Sequence, residues 1–473
     1  MNKERYFKRH TRYTLWGIRL WLAIWTVAVI PTAVHAIEKE DASCGSPLQI
    51  IPVPEQIRLA EGCFLMSEKP TFYIKGDADT CLSGYLQSLP LNLSGTAKRS
   101  EADIFIITDD KSVKGDETYR MEITSKRINI VSSDKAGAFY AIQSMLQMTE
   151  NGKNRQLQCC TITDSPRFTY RGLHVDVSRH FRSKEFLMKQ MDAMALLKMN
   201  KMHLHLTNGA GWRIEIDRYP RLTEFAAWRP ERKWMDWNQA GMRYCERTTP
   251  SAYGGYYTKE DIAEILEYAK ARHITVIPDI EMPGHSEEVL ATYPELSCSG
   301  KAYVNSDYCI GKEETFQFIE NVLTEVMELF PSEYIHIGGD EAVKSGWRNC
   351  PDCQRRMQEE GLANVDELQS YFIHRIEAFV NSKGKRIIGF DEILQGGLAP
   401  NATVMSWRGT QGGIEALKAG HDVIMCPVEC YYIDYCQDAP FKEPVSIGGY
   451  TPLKTVYSVS YTHLRAHETS QDL

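Results

Sequence analysis

Two carboxylates stand side by side in His336-Ile337-Gly338-Gly339-Asp340-Glu341, directly after a short apolar run. Asp-Glu neighbours are common where solvated loops begin, so the pair alone leaves a loop and a catalytic site both open. If it is catalytic, its chemistry is limited by reach. A conventional retaining glycosidase holds its acid and its nucleophile about 5–5.5 Å apart across the scissile bond, usually on different strands. Chain neighbours have Cα atoms about 3.8 Å apart and do not straddle a sugar that way. An adjacent pair suits another division of labour. One carboxylic acid protonates the leaving oxygen, and its neighbour steadies a group of the substrate that itself attacks. The two glycines beside the pair are read as room for a ligand to approach the backbone.

Other residues offer rival chemistry. His203-Leu204-His205 closes a strand-like run with both imidazoles on one face, and His174 and Asp176 share a face one strand earlier. This is the arrangement of a metal-dependent barrel hydrolase, although the run continues through Leu206-Thr207, as it would if the histidines were packed inside. Trp212, Trp228, Trp234, Trp237, Tyr253, Tyr256 and Tyr257 crowd one long insertion. Such an insertion serves either for stacking on a sugar or as a small core of its own.

The elements that must position these residues follow from periodicity. From Tyr170 onward, strand-like runs near 170–176, 201–207, 274–280, 334–338, 386–390, 402–406 and 422–426 alternate with amphipathic helices. Thr258 with Asp261 and Asn364 with Glu367 have capping-box spacing, and Gly384 stands where a helix should stop. Ile319, Val322, Leu323, Val326 and Leu329 form an apolar stripe at helical spacing. Alternating β and α units imply parallel strands, and the lack of a glycine-rich phosphate fingerprint favours a (β/α)8 TIM-type barrel over a doubly wound sheet. Asp176, Thr207, Glu281, Asp340, Glu341, Asp391, Glu392 and Trp407 then gather at the C-terminal ends of these strands, the mouth where barrel active sites form. Residues 45–165 read as a small N-terminal α/β domain, with strands near 104–107 and 128–131 and a helix over 136–148. It clusters no acid, base or nucleophile.

Composition adds boundaries. The chain has 473 residues, 43% hydrophobic and 25% charged, with net charge −8 and no basic stripe, so nucleic acid is not an expected partner. Residues 1–36 read as a signal peptide for export to the periplasm or beyond. Lys3, Arg5, Lys8, Arg9, Arg12 and Arg19 precede an apolar run from Leu20 to Val34 that is shorter than the roughly 20 residues of a membrane span, and Val34-His35-Ala36 suits cleavage. An uncleaved anchor is the other reading; after cleavage no membrane insertion is expected. In an exported chain some of the 13 cysteines would pair, and spacing suggests Cys298 with Cys309 and Cys350 with Cys353. Cys350-Pro351-Asp352-Cys353 is also half a zinc site, but no second pair follows at zinc-finger spacing, so no metal is assigned.

In order along the chain stand Arg171-Gly172-Leu173-His174-Val175-Asp176 with Arg179-His180-Phe181, and Lys198-Met199-Asn200 leading to His203-Leu204-His205-Leu206-Thr207. Gly211-Trp212-Arg213-Ile214, Glu281-Met282-Pro283-Gly284-His285-Ser286 and the Asp340-Glu341 segment follow. Asp391-Glu392-Ile393, Ser406-Trp407-Arg408-Gly409 and Tyr432-Ile433-Asp434 complete the set. Together they resemble glycoside hydrolase family 20, the β-N-acetylhexosaminidases of the bacterial exported type. The resemblance implies exo-acting removal of terminal β-linked N-acetylhexosamine from glycans, with no cofactor and by a substrate-assisted retaining mechanism. Glu341 would be acid then base, its proton retained near neutrality by the adjacent carboxylate and an apolar pocket. Asp340 would bind the N–H of the 2-acetamido group. Arg171 would bind the ring hydroxyls, although it stands at the start of its strand, where an ordinary ion pair is also open to it. His285 would border the acid, Trp407 would wall the acetamido methyl, Tyr432 would bond its carbonyl and Asp434 would support the sugar's far side.

Departures are visible as well. Asn208-Gly209-Ala210 replaces the acidic triplet expected after His205, and Phe390 replaces the tryptophan expected before Asp391-Glu392. Those changes keep a non-catalytic amino-sugar binder open beside the enzyme. After about Tyr457 the pattern of an eighth strand is missing, so 166–457 reads as a C-terminally truncated barrel and 458–473 as a non-native-looking tail. A chain so shortened is expected to be poorly stable and weakly active, since open sheet edges leave backbone groups unpaired.

Overall fold

A computed structural model describes residues 48–75, 80–444, 446 and 448–458. The proposed signal peptide, Cys44 and, but for its first residue, the 458–473 tail lie outside the described residues.

The first sheet is built from β1 (Gln56–Leu65), β2 (Thr71–Lys75), β3 (Ser94–Gly95), β4 (Ile104–Ile107), β5 (Tyr119–Ile123), β6 (Ile128–Ser132) and β7 (Gln156–Asp164), in the order β1-β7-β5-β6-β4-β2-β3. Its strands alternate in burial: Tyr119, Met121 and Ile123 on β5 and Ile128 and Ile130 on β6 turn to the core. That period of two is the pleat of a half-buried sheet. Against it packs α2 (Lys135–Met148), which follows α1 (Thr80–Ser88). Asp134 caps α2 by accepting from Gly137 N at 2.7 Å. The helix is buried nearly all round because its other side meets α3 (Lys184–Leu196) of the second sheet's layer.

The second sheet runs β8 (Gly172–Asp176), β9 (Lys201–His205), β10 (Thr275–Met282), β11 (Tyr334–Gly338), β12 (Arg386–Phe390), β13 (Thr403–Ser406) and β14 (Val423–Met425). Every ladder is parallel and the strands neighbour one another in chain order, with β8 and β14 at the edges. This is a barrel-type parallel sheet of seven strands, each within or close to the run expected from sequence. Outside it lie α3, α4 (Lys259–Lys270), α5 (Glu313–Leu329), α6 (Pro351–Glu360), α7 (Val365–Ser382) and α8 (Gln411–Lys418). The Thr258–Asp261 capping box forms at α4. At α7 only half the device forms. Asn364 accepts from Asp366 N and Glu367 N, but the Glu367 carboxylate reaches back to Ala363 N instead of Asn364 N.

Strand alternation sorts the residues into two populations. Met202, Leu204, Val276, Ile280, Ile335, Ile337 and Ile387 face the helices, where Phe316, Ile319, Val322, Leu323 and Val326 of α5 meet them. Burial of each such side chain contributes about 1.5–3 kcal/mol. His203, His205, Ile277, Asp279, His336, Ile388 and Phe390 face the other way, into the barrel. The period-two rule thus delivers a line of polar groups to the interior without disturbing the apolar layer. Cys298, Cys309, Cys350 and Cys353 are free thiols, so the two short-loop disulfides expected from spacing do not form; Cys63 is disulfide-bonded.

Candidate active site

The mouth is assembled from the ends of six strands, β8 and β10 to β14. β11 gives way after Gly338 to Gly339, Asp340 and Glu341, with Gly338 at φ 67° and Gly339 at φ 92°. These glycines do not clear space for a ligand, as the sequence suggested. A Cβ on Gly338 would overlap the Glu281 carboxylate, and one on Gly339 would overlap Ile393. His285 and Glu341 are themselves left-handed, at φ 52° and 47°. Such a conformation costs roughly 1–3 kcal/mol at a non-glycine residue and persists where surrounding structure imposes it.

The adjacent carboxylates differ sharply in exposure: the Asp340 side chain is 13% exposed and that of Glu341 is 56% exposed. His285 Nε2 bridges them, 3.3 Å from Asp340 Oδ2 and 3.2 Å from Glu341 Oε2. Burial opposes a charge on His285, but the hydrogen bonds to Asp340 and Glu341 outweigh it and push its pKa up to about 10. Burial likewise opposes the Asp340 charge, and the imidazolium holds that carboxyl below its usual value all the same. Glu341 is lowered too, first by its hydrogen bond to His285. This corrects the expectation that the neighbouring carboxylate keeps Glu341 protonated: in the free site the proton sits on His285. Glu281 behaves oppositely. Burial, followed by the charge of Asp340, raises it well above the carboxylate range.

Arg171 does not enter the mouth. It precedes β8, at the opposite end of the strand, where Nη2 pairs with Glu117 Oε2 at 2.7 Å and Nε donates to Lys198 O at 2.7 Å. It is an ion-pair partner between the two sheets, the alternative its position at the strand start had left open. The arginine of the mouth is Arg179, just past the other end of β8. Its Nη1 lies 2.5 Å from Asp176 Oδ2, while Asp176 Oδ1 accepts from Ser178 N and Arg179 N. The Arg179 charge acts on Glu281, Asp340, Glu341 and Asp434 alike. Sequence reasoning quoted Arg179 without giving it a role. The missed signal was its spacing, three residues beyond a strand-end aspartate.

The remaining expected residues converge. Trp407 Nε1 donates to Glu392 Oε2 at 3.0 Å, and its ring lies 6.2 Å from that of Tyr432 in a stacked arrangement. The charge of Asp340 is felt at both Tyr432 and Glu392. Burial raises Glu392 to about 7, and Arg408 Nε bonds Asp391 Oδ1 at 2.8 Å beside it. Asp434 is exposed by surface area yet loses part of its water to neighbouring groups, which raises its carboxyl against the opposing charge of Arg179. Neither Glu281 nor Glu392 had been given more than a place in the mouth.

Below this layer, His203 Nε2 and His205 Nδ1 lie 2.7 and 2.6 Å from Asp279 Oδ2, and His336 Nδ1 lies 3.1 Å from Oδ1. Three histidines spend a ring nitrogen on one buried carboxylate, and burial, chiefly, lowers His203 to about 4. These are packed, hydrogen-bonded interior residues. Part of the aromatic insertion is core, since Trp212 and Tyr257 belong to the main cluster and Trp237 packs with Tyr244 and Ala210, while Trp228, Trp234, Tyr253 and Tyr256 are partly exposed. Phe390 lies edge-on to His336, with ring centroids 4.6 Å apart, and Asn208 is buried with its carbonyl accepting from Ser178 Oγ at 3.2 Å.

A parallel barrel with an unequally exposed carboxylate pair at its mouth, walled by tryptophan and tyrosine, belongs to the class of barrel glycosidases. Comparison with known proteins then identifies the family. Residues 168–472 match "Glycosyl hydrolase family 20, catalytic domain" and residues 47–165 match "Glycosyl hydrolase family 20, domain 2". The chain belongs to glycosyl hydrolase family 20. It is 41% identical to a β-hexosaminidase of Porphyromonas gingivalis over 87% of this chain and 54% of that one. With a β-hexosaminidase of Vibrio furnissii the identity is 32%, over 91% and 72%. The crystal structure of an exo β-N-acetylglucosaminidase from Vibrio harveyi with N-acetylglucosamine superposes with TM-score 0.77 at 28% identity, covering 89% of this chain and 67% of that one. That of a β-N-acetylhexosaminidase from Bacteroides fragilis gives 0.72 at 32%, covering 82% and 77%. The chain thus spans about half the length of its Porphyromonas relative. These relatives favour the hexosaminidase reading over the metal-dependent hydrolase.

Proposed function

We propose that this chain removes terminal β-linked N-acetylhexosamine from glycans, with the substrate's own acetamido oxygen as nucleophile. The observation that carries this is the largely covered Asp340 beside the half-exposed Glu341, bridged by one imidazole. Asp340 accepts the acetamido N–H, which aims the carbonyl oxygen at the anomeric carbon. Its charge then stabilises the oxazolinium cation formed as the C1–O bond breaks. Glu341 faces the leaving group and delivers the proton to its oxygen; as a carboxylate it next takes a proton from the water that opens the ring. Sugar binding strips water from Glu341 and so raises its pKa, drawing the proton across from His285. Trp407 and Tyr432 enclose the acetamido group, Arg179 binds ring hydroxyls, and Asp434 supports the far side of the sugar.

The test is cleavage of aryl N-acetylhexosaminides against the corresponding glucoside. Selective cleavage of the acetamido substrates, with competitive inhibition by a thiazoline mimic of the oxazolinium, supports the reading. Equal cleavage of both, or a trapped glycosyl ester on any side chain, overturns it. Affinity without turnover would instead favour the amino-sugar binder. We also propose export to the periplasm or beyond, supported by the basic-then-apolar segment at 1–36 and the disulfide at Cys63. No helix of the described residues is long and apolar enough to cross a membrane.

A further inference from the structure

Four cysteines that spacing had divided between two loops meet at one point. Cys298 and Cys309 lie in the connection after β10, while Cys350 directly precedes α6 and Cys353 stands in its first turn. All four sulfurs lie within 4.8 Å of one another. Cys309 Sγ is 3.6 Å from that of Cys350 and 3.7 Å from that of Cys353, and Cys298 Sγ is 3.8 Å from Cys353 Sγ. A disulfide would bring two of them to about 2.05 Å. Four sulfurs placed tetrahedrally at about 2.3 Å from a zinc ion are instead about 3.8 Å apart along each edge. The three separations of 3.6–3.8 Å match that edge, and the remaining ones stay within 4.8 Å, far from a disulfide bond length.

The surroundings suit a closed metal site. Cys309, Cys350 and Cys353 are buried and Cys298 is partly exposed. Cys350 directly precedes the helix and Cys353 stands in its first turn, which brings both sulfurs to the same point. Gly311 is required here: a Cβ would overlap the Asp352–Cys353 backbone, so the two segments touch at the cluster. We propose that Cys298, Cys309, Cys350 and Cys353 form a structural zinc site. The ion would fasten the connection after β10, which carries His285, to the connection after β11, which carries Glu341. The same two connections already meet nearby, where Asp307 accepts from Val343 N and Lys344 N at 3.2 and 2.7 Å, and Trp347 Nε1 donates to Tyr308 O at 2.8 Å. None of these four sulfurs belongs to the mouth, so the zinc would be a staple and take no part in the reaction.

Metal analysis of the full chain, purified under reducing conditions and supplied with zinc sulfate, should find one zinc per chain. Cobalt(II) in its place should give the visible absorption of a tetrahedral thiolate site, a readout independent of activity. Cys298→Ser removes the most exposed ligand and leaves three, so the chain should still fold while zinc retention against a chelator falls more than about tenfold. Peptide mapping without reduction that finds a disulfide among these four residues would overturn the proposal. So would four thiols that react freely with Ellman's reagent in a native, zinc-treated chain.

Discussion

The two ends of β8 carry one arginine each, and they lead different lives. Arg171, before the strand, is held by Glu117, by Lys198 O and by Phe168 O, and Lys198 Nζ pairs with Asp164 Oδ2 at 2.6 Å close by. Every guanidinium edge there is committed to protein, so that end joins two sheets. Arg179, beyond the strand, is held by Asp176 and surrounded by Glu281, Asp340, Glu341 and Asp434. That end concentrates acidic groups around one cation and leaves capacity for a ligand. An arginine in a matching motif therefore says little about its role until one knows which end of the strand it occupies.

Substitutions should separate the two ends. Glu341→Gln at the mouth should lower kcat by about 10²–10⁴-fold without changing the melting temperature, because it removes only a proton-transfer group on a half-exposed side chain. A melting temperature that fell with activity would mean Glu341 is structural. Arg179→Gln should lower kcat/KM by about tenfold to a hundredfold, the worth of charge-assisted hydrogen bonds at about 1.5–3 kcal/mol. Urea titration of Arg171→Ala should show about 2–3 kcal/mol of lost stability, with kcat/KM within about twofold of the parent. If Arg171→Ala abolished sugar binding and left stability untouched, the contrast would be inverted.

The smallest effect concerns pH. His285 is raised in the folded chain from 6.5 to about 10, so its contribution to stability is fully present below pH 6.5 and fades as pH climbs through about 10. His285→Gln should flatten the fall in melting temperature over that window relative to the parent. Parallel curves for parent and variant would show that the imidazolium bridge does not form.

Much of this was legible in the residues. Alternation marked each strand of the second sheet to within about two residues, since side-chain period and strand length are local properties. The Thr258 cap was legible for the same reason. Asn364 was half legible, because the rotamer of Glu367 depends on which backbone N–H it finds, Ala363 or Asn364. The protonation of Glu341 was misread because Asp340 and an apolar pocket were weighed alone, whereas His285, expected only to border the acid, hydrogen-bonds it from another strand.

The amino-acid order alone determined that two carboxylates sit side by side after a strand, and that the repeated β/α units send such residues to a common end. Those are consequences of bond lengths and of periodicity over a few residues. Only the tertiary structure decided which arginine faces the acids, where their shared proton rests, and that four distant cysteines meet. Each of these depends on distances between segments tens of residues apart, and those are set by strand order and by the packing of helices around the sheet.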